Sequence, residues 1–298
     1  MSAAAPARTL RARALALSRR EGSTRTLALL RISLALLVYT RWARDFQLFR
    51  DMQPDRIEVA SGAFFALSVV LYLSTAGMLF GLWTRLSTAL AGLSVLTVVI
   101  GVGEVGGHEP YTHHHTWALA VGVALLALTP CGRSLSVDRW RALRRADRTG
   151  QPAPAERGPL WALPLLGVHV SAIYGWGTVS KLTAGYLSGA RFEHYLMYLY
   201  WGSDLPEGPL FSALVLACAW GSVLLEPALA VGLWIPRTRA ACFAIGLLFH
   251  GLIYYTLPVG TFSLTMWALY LAFLDPDAAH RGLDRMLGLR PSEARDAP

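Results

Sequence analysis

The chain has 298 residues, of which 54% are hydrophobic and only 15% are charged, and its formal net charge is +8. Soluble domains carry about 25% charged residues, so this composition excludes an ordinary soluble enzyme and indicates an all-α polytopic membrane protein. The basic balance does not point to nucleic acid, because the arginines lie in tails and short loops between apolar segments and no nucleic-acid-binding motif is present.

Apolar segments recur along the whole chain. A helix needs roughly 20 mostly apolar residues to cross the bilayer core, and this pattern predicts a bundle of about eight transmembrane helices. The bundle occupies residues 27–276, between a basic tail at 1–26 and a second tail at 277–298. The first tail has no clear cleavage site, so we expect it to be retained. The predicted helices are 27–42, 62–82, 86–103, 115–130, 160–181, 210–234, 239–257 and 260–274.

The arginines predict the orientation, since cytoplasmic loops of membrane proteins are enriched in Lys and Arg. Both tails and the loop at 131–158 are arginine-rich, and Arg85, Arg237 and Arg239 mark two short turns on the same side. We therefore expect both termini in the cytoplasm. The arginine-heavy composition suggests a bacterium, and thus its inner membrane. The outer side then receives 43–61, 104–114, 182–209 and the turn at Pro258.

Lys181 is the only lysine, in the stretch "AIYGWGTVSKLTAGYLSG" at the outer end of the fifth predicted helix. It is either an ammonium that reaches the membrane interface or a general base, because lysine can lose its proton when it is desolvated and arginine cannot. Gly175 and Gly177 lie just before it and would let a neighbouring helix approach closely.

A histidine triplet, His113, His114 and His115, opens the fourth predicted helix on the same side. With His108 and Glu109 it offers ligand types for a metal. Consecutive helical residues point about 100° apart, however, so they form no ready chelate, and we predict no metal site. Two other interpretations of the triplet stay open: it is an exposed polar loop, or one of its histidines faces inward and transfers protons.

Two ionisable residues lie within predicted helices, His250 in the seventh and Glu226 in the sixth. His250 is either a packed neutral histidine or a functional group that faces a cavity. An unpaired charge at mid-membrane costs about 2.5–3.5 kcal/mol, so Glu226 should be protonated or paired. Arg31 in the first helix is a candidate partner, and a structural role is favoured for Glu226.

On this topology Lys181, the histidine triplet and His250 converge at one level of the membrane. Aromatic residues accompany them, which indicates either an interfacial aromatic belt or a wall for a flat apolar cofactor such as a quinone. The candidates for such a wall are Trp117, Tyr174 and Trp176.

Several stretches, read in order, resemble the HTTM family, which is the membrane domain of vitamin K-dependent gamma-glutamyl carboxylase. The resemblance covers about residues 27–276, nearly all of the chain outside the tails. The matching stretches are "RISLALLVY", "GMLFGLWTRLS", "THHHTWALAVG", "SLSVDRW", "VSKLTAGYLSG", "LLEPALAVGLWIPRTR" and "LFHGLIYYTLPVGTFSLTMWALYLAF".

The resemblance implies roles for individual residues. Lys181 matches the family lysine that deprotonates vitamin K hydroquinone, His115 matches the histidine of an Asn-His pair that supports oxygenation, and His250 matches the histidine of a later "FH" motif. His114 stands where the family has asparagine, and Glu226 matches an acidic position that looks structural. In the family, the oxygenated hydroquinone supplies a base for a peptide glutamate, carbon dioxide captures the carbanion, and the quinone leaves as its epoxide.

We therefore expect an integral-membrane enzyme that uses oxygen and a reduced quinone, such as vitamin K or menaquinone. Carbon dioxide and a secreted peptide, or a partner protein that supplies it, are expected co-substrates. The chain ends soon after the last predicted helix, so we expect no large extramembrane domain, and Ser180 replaces one of two adjacent family lysines. The alternatives are a quinone-binding or assembly subunit without catalysis, and a subunit that matures a toxin peptide.

Overall fold

The computed structural model describes residues 20–42, 61–107, 113–196, 208–257 and 259–288. Residues 1–19 of the first predicted tail and 289–298 of the second fall outside these ranges. So do the predicted outer loop at 43–61 except Ser61, where a helix begins, residues 197–207 of the predicted outer loop 182–209, and His108, Glu109 and Pro258.

The regular secondary structure of the described residues is helical apart from two short strands, β1 (Glu21–Ser23) and β2 (Arg157–Pro159). A π-helix at Val98–Val105 continues α3, and a 3-10 turn at Leu271–Phe273 continues α11. In chain order the helices are α1 (Arg25–Trp42), α2 (Ser61–Phe80), α3 (Thr84–Thr97), α4 (His114–Leu126), α5 (Val137–Thr149), α6 (Leu163–Lys181), α7 (Ala184–Leu187), α8 (Ala190–Leu196), α9 (Pro209–Gly232), α10 (Pro236–Thr256), α11 (Phe262–Tyr270) and α12 (Pro276–Met286).

Helices occur at each predicted span, namely α1 to α4, α6 and α9 to α11, which confirms the all-α polytopic class. Among the described residues, three helices are long and apolar enough to cross a membrane by themselves: Thr84–Val105, Pro209–Gly232 and Pro236–Thr256. Shorter apolar helices lie at Phe65–Phe80, His114–Leu126 and Phe262–Phe273. The number of crossings stays a prediction.

The core lies between α1, α3, α4, α6 and α11 and consists mainly of Leu, Val and Ala side chains. Small residues bring the helices close together. A Cβ on Gly92 of α3 would lie 3.0 Å from the Cα of Ala124 in α4, so this contact depends on glycine, as is common where membrane helices pack.

One end of the bundle, which we call the arginine-rich end, is closed by ion pairs and by the antiparallel pairing of β1 with β2. The Nε of Arg25, at the start of α1, lies 2.6 Å from Glu156, and its Nη1 contacts Asp284 of α12. The backbone N–H of Ser23 donates to Asp277 at 3.1 Å. Residues near both ends of the chain are thereby joined to the loop between α5 and α6.

Helix α5 docks on the turn between α2 and α3 at this same end. The Oδ1 of Asp138 accepts the backbone N–H of Trp83 at 3.0 Å, and its Oδ2 accepts that of Thr84 at 2.7 Å. Asp138 thus satisfies donors at the start of α3 that have no partner within the helix. Helix α5 has its own N-cap, Ser136, and ends at Gly150, whose φ of 66° favours glycine.

The proposed pairing of Arg31 with Glu226 is wrong. Arg31 is fully buried at the arginine-rich end, and its Nη2 donates to the carbonyl oxygen of Leu135 at 2.5 Å. Its guanidinium packs against Gly81, where a Cβ would overlap the Nη1 atom. Arg31 is the seventh residue of α1, and its long side chain reaches the loop between α4 and α5 instead of Glu226 in α9.

The ion pairs of Glu156 generate a stability prediction. Glu156→Gln should lower the free energy of unfolding by about 2 kcal/mol, because Arg25 would lose a charge-assisted hydrogen bond in a partly buried position. The matched control is Asp147→Asn, since Asp147 is exposed on α5, and it should change the value by less than about 0.5 kcal/mol. Thermal unfolding in mild detergent measures both, and equal midpoints for the two variants would contradict the prediction.

Candidate functional site

The centre of the candidate site is an ion pair between α6 and α9. The Nζ of Lys181 lies 2.7 Å from Oε1 and 2.9 Å from Oε2 of Glu226, and it also donates to the carbonyl oxygen of Gly177 at 3.1 Å. The Lys181 side chain is 21% exposed and that of Glu226 is 8% exposed. The amine is therefore held inside the protein and does not extend freely into solvent.

Gly177 makes this approach possible. A Cβ at position 177 would lie 2.8 Å from Oε2 of Glu226, whereas a Cβ on Gly175 would meet nothing within 4 Å. The sequence expectation of close helix approach thus holds for one of the two glycines. The Lys181 side chain turns back along α6 towards the preceding turn, as long helical side chains do, and so reaches Glu226 six residues from the end of α9.

The arrangement satisfies both charges locally. An ammonium has three donors, and here three acceptor oxygens surround it. Removing one partner from a buried pair leaves an uncompensated charge, which is strongly destabilising. The same contact allows a proton to pass from Nζ to a carboxylate oxygen, which leaves a neutral amine beside a carboxylic acid.

Tyr186 and Ser222 lie on one side of the pair. Lys181 Nζ lies 5.8 Å from the centre of the Tyr186 ring, within the range of a cation–π contact. The Tyr186 hydroxyl is hydrogen-bonded to Ser222 Oγ at 2.8 Å. Tyr186 belongs to α7, so this short helix in the predicted outer loop 182–209 covers the site.

A second buried cluster lies along α6 from Lys181. The hydroxyl of Tyr174 is hydrogen-bonded to Nε2 of His250 at 2.7 Å and to the hydroxyl of Tyr270. Gly246 leaves the space that the Tyr270 hydroxyl occupies. His250 is buried, and its Nδ1 has no hydrogen-bond partner among the described residues. Tyr174 and Lys181 are seven residues apart, so they share one face of the helix.

The histidine triplet joins this cluster through Phe262. The rings of His114 and His250 lie 6.3 and 5.5 Å from the ring of Phe262. Within the triplet, the ring of His115 packs against those of His113 and His114 at centroid distances of 5.1 and 6.0 Å. His114 is thus the member of the triplet that reaches the Phe262 ring shared with His250. The predicted convergence of Lys181 with these histidines stays a prediction.

The predicted quinone wall falls into three different environments. Trp117 donates its indole N–H to Glu104 at 3.3 Å, at the π-helical end of α3. Tyr174 is buried within the cluster described above, and Trp176 is 67% exposed on the surface of α6. Among the described contacts, Tyr174 is the member of the wall that is hydrogen-bonded to another candidate site residue, His250. The binding role of all three stays a prediction.

No group of three or more His, Cys, Asp or Glu side chains could hold a metal ion in the part of the chain that the structure describes. His108 and Glu109, which the sequence offered as further ligands, lie outside that part.

Sequence reasoning missed the pairing of Lys181 with Glu226, although it identified both residues. The signal was available, because each is a charged residue in one of two consecutive predicted helices, and consecutive elements are usually neighbours in space. It also missed Tyr270 and Ser222. Both lie within apolar runs, and nothing in the sequence indicates that their hydroxyls have polar partners.

A model of the HTTM domain family matches residues 29–278 of the chain. No curated protein and no solved structure matches the chain significantly.

The packing of Gly177 against Glu226 gives a prediction with an internal control. Gly177→Ala should lower the free energy of unfolding by about 1–3 kcal/mol, because the new methyl group must displace a buried carboxylate. Gly175→Ala should be neutral or raise it by up to about 1 kcal/mol, since alanine favours the helix. Thermal unfolding in detergent compares the two, and equal destabilisation by both would show that the close approach is not required.

Proposed function

Because the chain belongs to the HTTM family, which is related to vitamin K-dependent carboxylase, we propose that it is an integral-membrane enzyme that oxygenates a reduced quinone, with Lys181 as the base. The observation that carries this proposal is the contact of Lys181 Nζ with both oxygens of Glu226. A base needs a place for its own proton, and this carboxylate is the adjacent acceptor.

The pair performs the proton transfers of the proposed reaction. The ammonium of Lys181 gives one proton to Glu226, and the neutral amine then accepts the proton of a quinol hydroxyl. Glu226 thus takes the part of a proton store, a more active role than the structural one that the resemblance implies. Three acceptor oxygens surround the amine and the site is partly buried, so water does not compete effectively for hydrogen bonds to the amine.

Polar and aromatic side chains near Lys181 and His250 offer contacts for a hydroquinone. When bound, a hydroquinone would supply the electrons that reduce oxygen. Nδ1 of His250 is a buried polar atom without a partner, and a quinol hydroxyl satisfies such an atom. Each polar group has an aromatic neighbour, since the Phe262 ring packs against His250 and the Tyr186 ring lies 5.8 Å from Lys181 Nζ. His114, together with the predicted His115, would then stand where oxygenation is supported.

We place the site towards the outer side of a bacterial inner membrane, with both termini in the cytoplasm. Coupling to a peptide glutamate and carbon dioxide, or to another maturation of a secreted peptide, extends the proposal. Trp117, Tyr174 and Trp176 are the proposed quinone contacts. A lateral approach through the bilayer suits a lipophilic substrate of this kind.

A second function is favoured by the same ion pair. Since Lys181 and Glu226 satisfy each other, the pair is also a good structural tie between α6 and α9, and the protein would then bind a quinone or assist assembly without turnover. The two functions differ in a single product, the quinone epoxide.

The direct test supplies purified protein with reduced vitamin K and oxygen and measures the epoxide by chromatography. We expect wild type to form epoxide and Lys181→Ala to lose about 10²- to 10⁴-fold of the rate, as is typical when a general base is removed. Quinone that binds without any epoxide would support the binding subunit instead.

Two further variants separate charge from proton transfer. Lys181→Arg keeps the positive charge opposite Glu226 but cannot give up its proton, so the protein should fold and form no epoxide. Ser188→Ala is the control, because Ser188 is exposed and its hydroxyl donates to the carbonyl oxygen of Gly185 at 3.3 Å, which is not an acceptor of the Lys181 amine. Full epoxidation by Lys181→Arg would overturn the role of Lys181 as the base.

A further inference from the structure

Helix α5 carries an exposed basic face at the arginine-rich end of the bundle. Trp140 is 53% exposed, and the guanidinium carbon of Arg144 lies 4.7 Å from the centre of its ring. Arg141, Arg145 and Arg148 are also exposed, and Asp147 is the acidic residue among them. The exposed face of this helix therefore combines an aromatic ring with an excess of positive charge.

The opposite face of α5 holds the helix in place. Asp138 caps the start of α3, and Arg139 donates to the carbonyl oxygen of Pro154 and lies 3.7 Å from Glu156. Ala146 is buried. The basic face is consequently presented by a docked helix with defined neighbours, so a ligand would not have to order it first.

An open groove of 510 Å³ adjoins the basic face and is lined by Trp83, Thr84, Arg85, Leu86 and Asp138. Trp83 has a φ of 44° and is 69% exposed, so its backbone turns the indole outwards. The Asp138 carboxylate accepts the N–H groups of Trp83 and Thr84 and the Thr84 hydroxyl at 2.7 Å, so it is fixed in the wall of the groove. Its single negative charge is outnumbered by the positive charges of Arg85 and the exposed arginines of α5.

The groove continues into an apolar stripe on the outside of α3. Leu86, Leu90 and Leu93 are all exposed, and their spacing of four and three residues puts them on one side of the helix. Thr84–Val105 is one of the helices that can cross a membrane. The basic and aromatic groups therefore lie where an apolar helix surface ends, which is the level of the lipid headgroups.

We propose that the basic face of α5 and the Trp83–Arg85–Leu86 groove bind anionic phospholipids. The arginines hold the phosphate groups, the exposed indoles lie at the headgroup level, and an acyl chain follows the leucine stripe of α3. The positive charge favours an anionic ligand. The adjoining leucine stripe favours a lipid among the anions, because an acidic protein or a nucleic acid would leave those leucines uncovered. This inference does not depend on the proposed function.

The test titrates the full chain in neutral detergent with phosphatidylglycerol or phosphatidylcholine and counts bound lipids by native mass spectrometry. Wild type should retain phosphatidylglycerol in preference. Arg144→Gln/Arg145→Gln should weaken phosphatidylglycerol binding by about 30-fold, since each basic residue near an anionic surface contributes a factor of about five. The matched control is Arg281→Gln/Arg285→Gln, which removes two exposed arginines from α12 at the same end.

Thermal unfolding midpoints of both double variants verify that they are folded before lipid is counted. Retained binding in the control, with loss in the α5 variant, supports the site. Equal retention of the two lipids by wild type, or equal losses in both double variants, would overturn it, because net charge alone or a soluble partner would then explain the arginines.

Discussion

A charge inside a bundle of apolar helices needs a compensating charge, and in this protein that constraint joins Lys181 to Glu226. The pair connects α6 to α9 and packs against Gly177, where a Cβ would meet the carboxylate. It places an amine beside an anionic group that can take its proton without leaving a net charge behind. Tyr186 and Ser222 cover it on one side. Each proposed role in the site follows from this contact.

The choice of a single lysine among 27 basic residues also follows from it. At the arginine-rich end, the several N–H donors of a planar guanidinium can bind two acceptors at once, as Arg25 does when it bridges Glu156 and Asp284. The space between two carboxylate oxygens and a helix carbonyl suits a compact ammonium with three donors better than a planar guanidinium. Lysine is also the basic residue that can be deprotonated, so geometry and chemistry favour the same side chain.

Hydropathy and arginine counting were sufficient to predict the helical class and the approximate positions of the apolar helices. They did not give the partner of Glu226, because hydropathy places a charge along a helix but not around it; the available signal was that α6 and α9 are consecutive predicted spans. The strands at Glu21–Ser23 and Arg157–Pro159 were missed for a similar reason, since each is three residues long and exists only by pairing with the other. The docking of α12 likewise depends on Arg25, far away in the sequence.

The lone lysine provides the most direct measurement of the central claim, which is that Glu226 controls the proton of Lys181. Labelling with ¹⁵N-lysine gives a single side-chain nitrogen signal, so its chemical shift can be compared in wild type, Glu226→Gln and Ser188→Ala. The account predicts that Glu226→Gln moves this signal, whereas Ser188→Ala, whose hydroxyl donates to the carbonyl oxygen of Gly185, leaves it unchanged. A signal at the same chemical shift in all three proteins would contradict it.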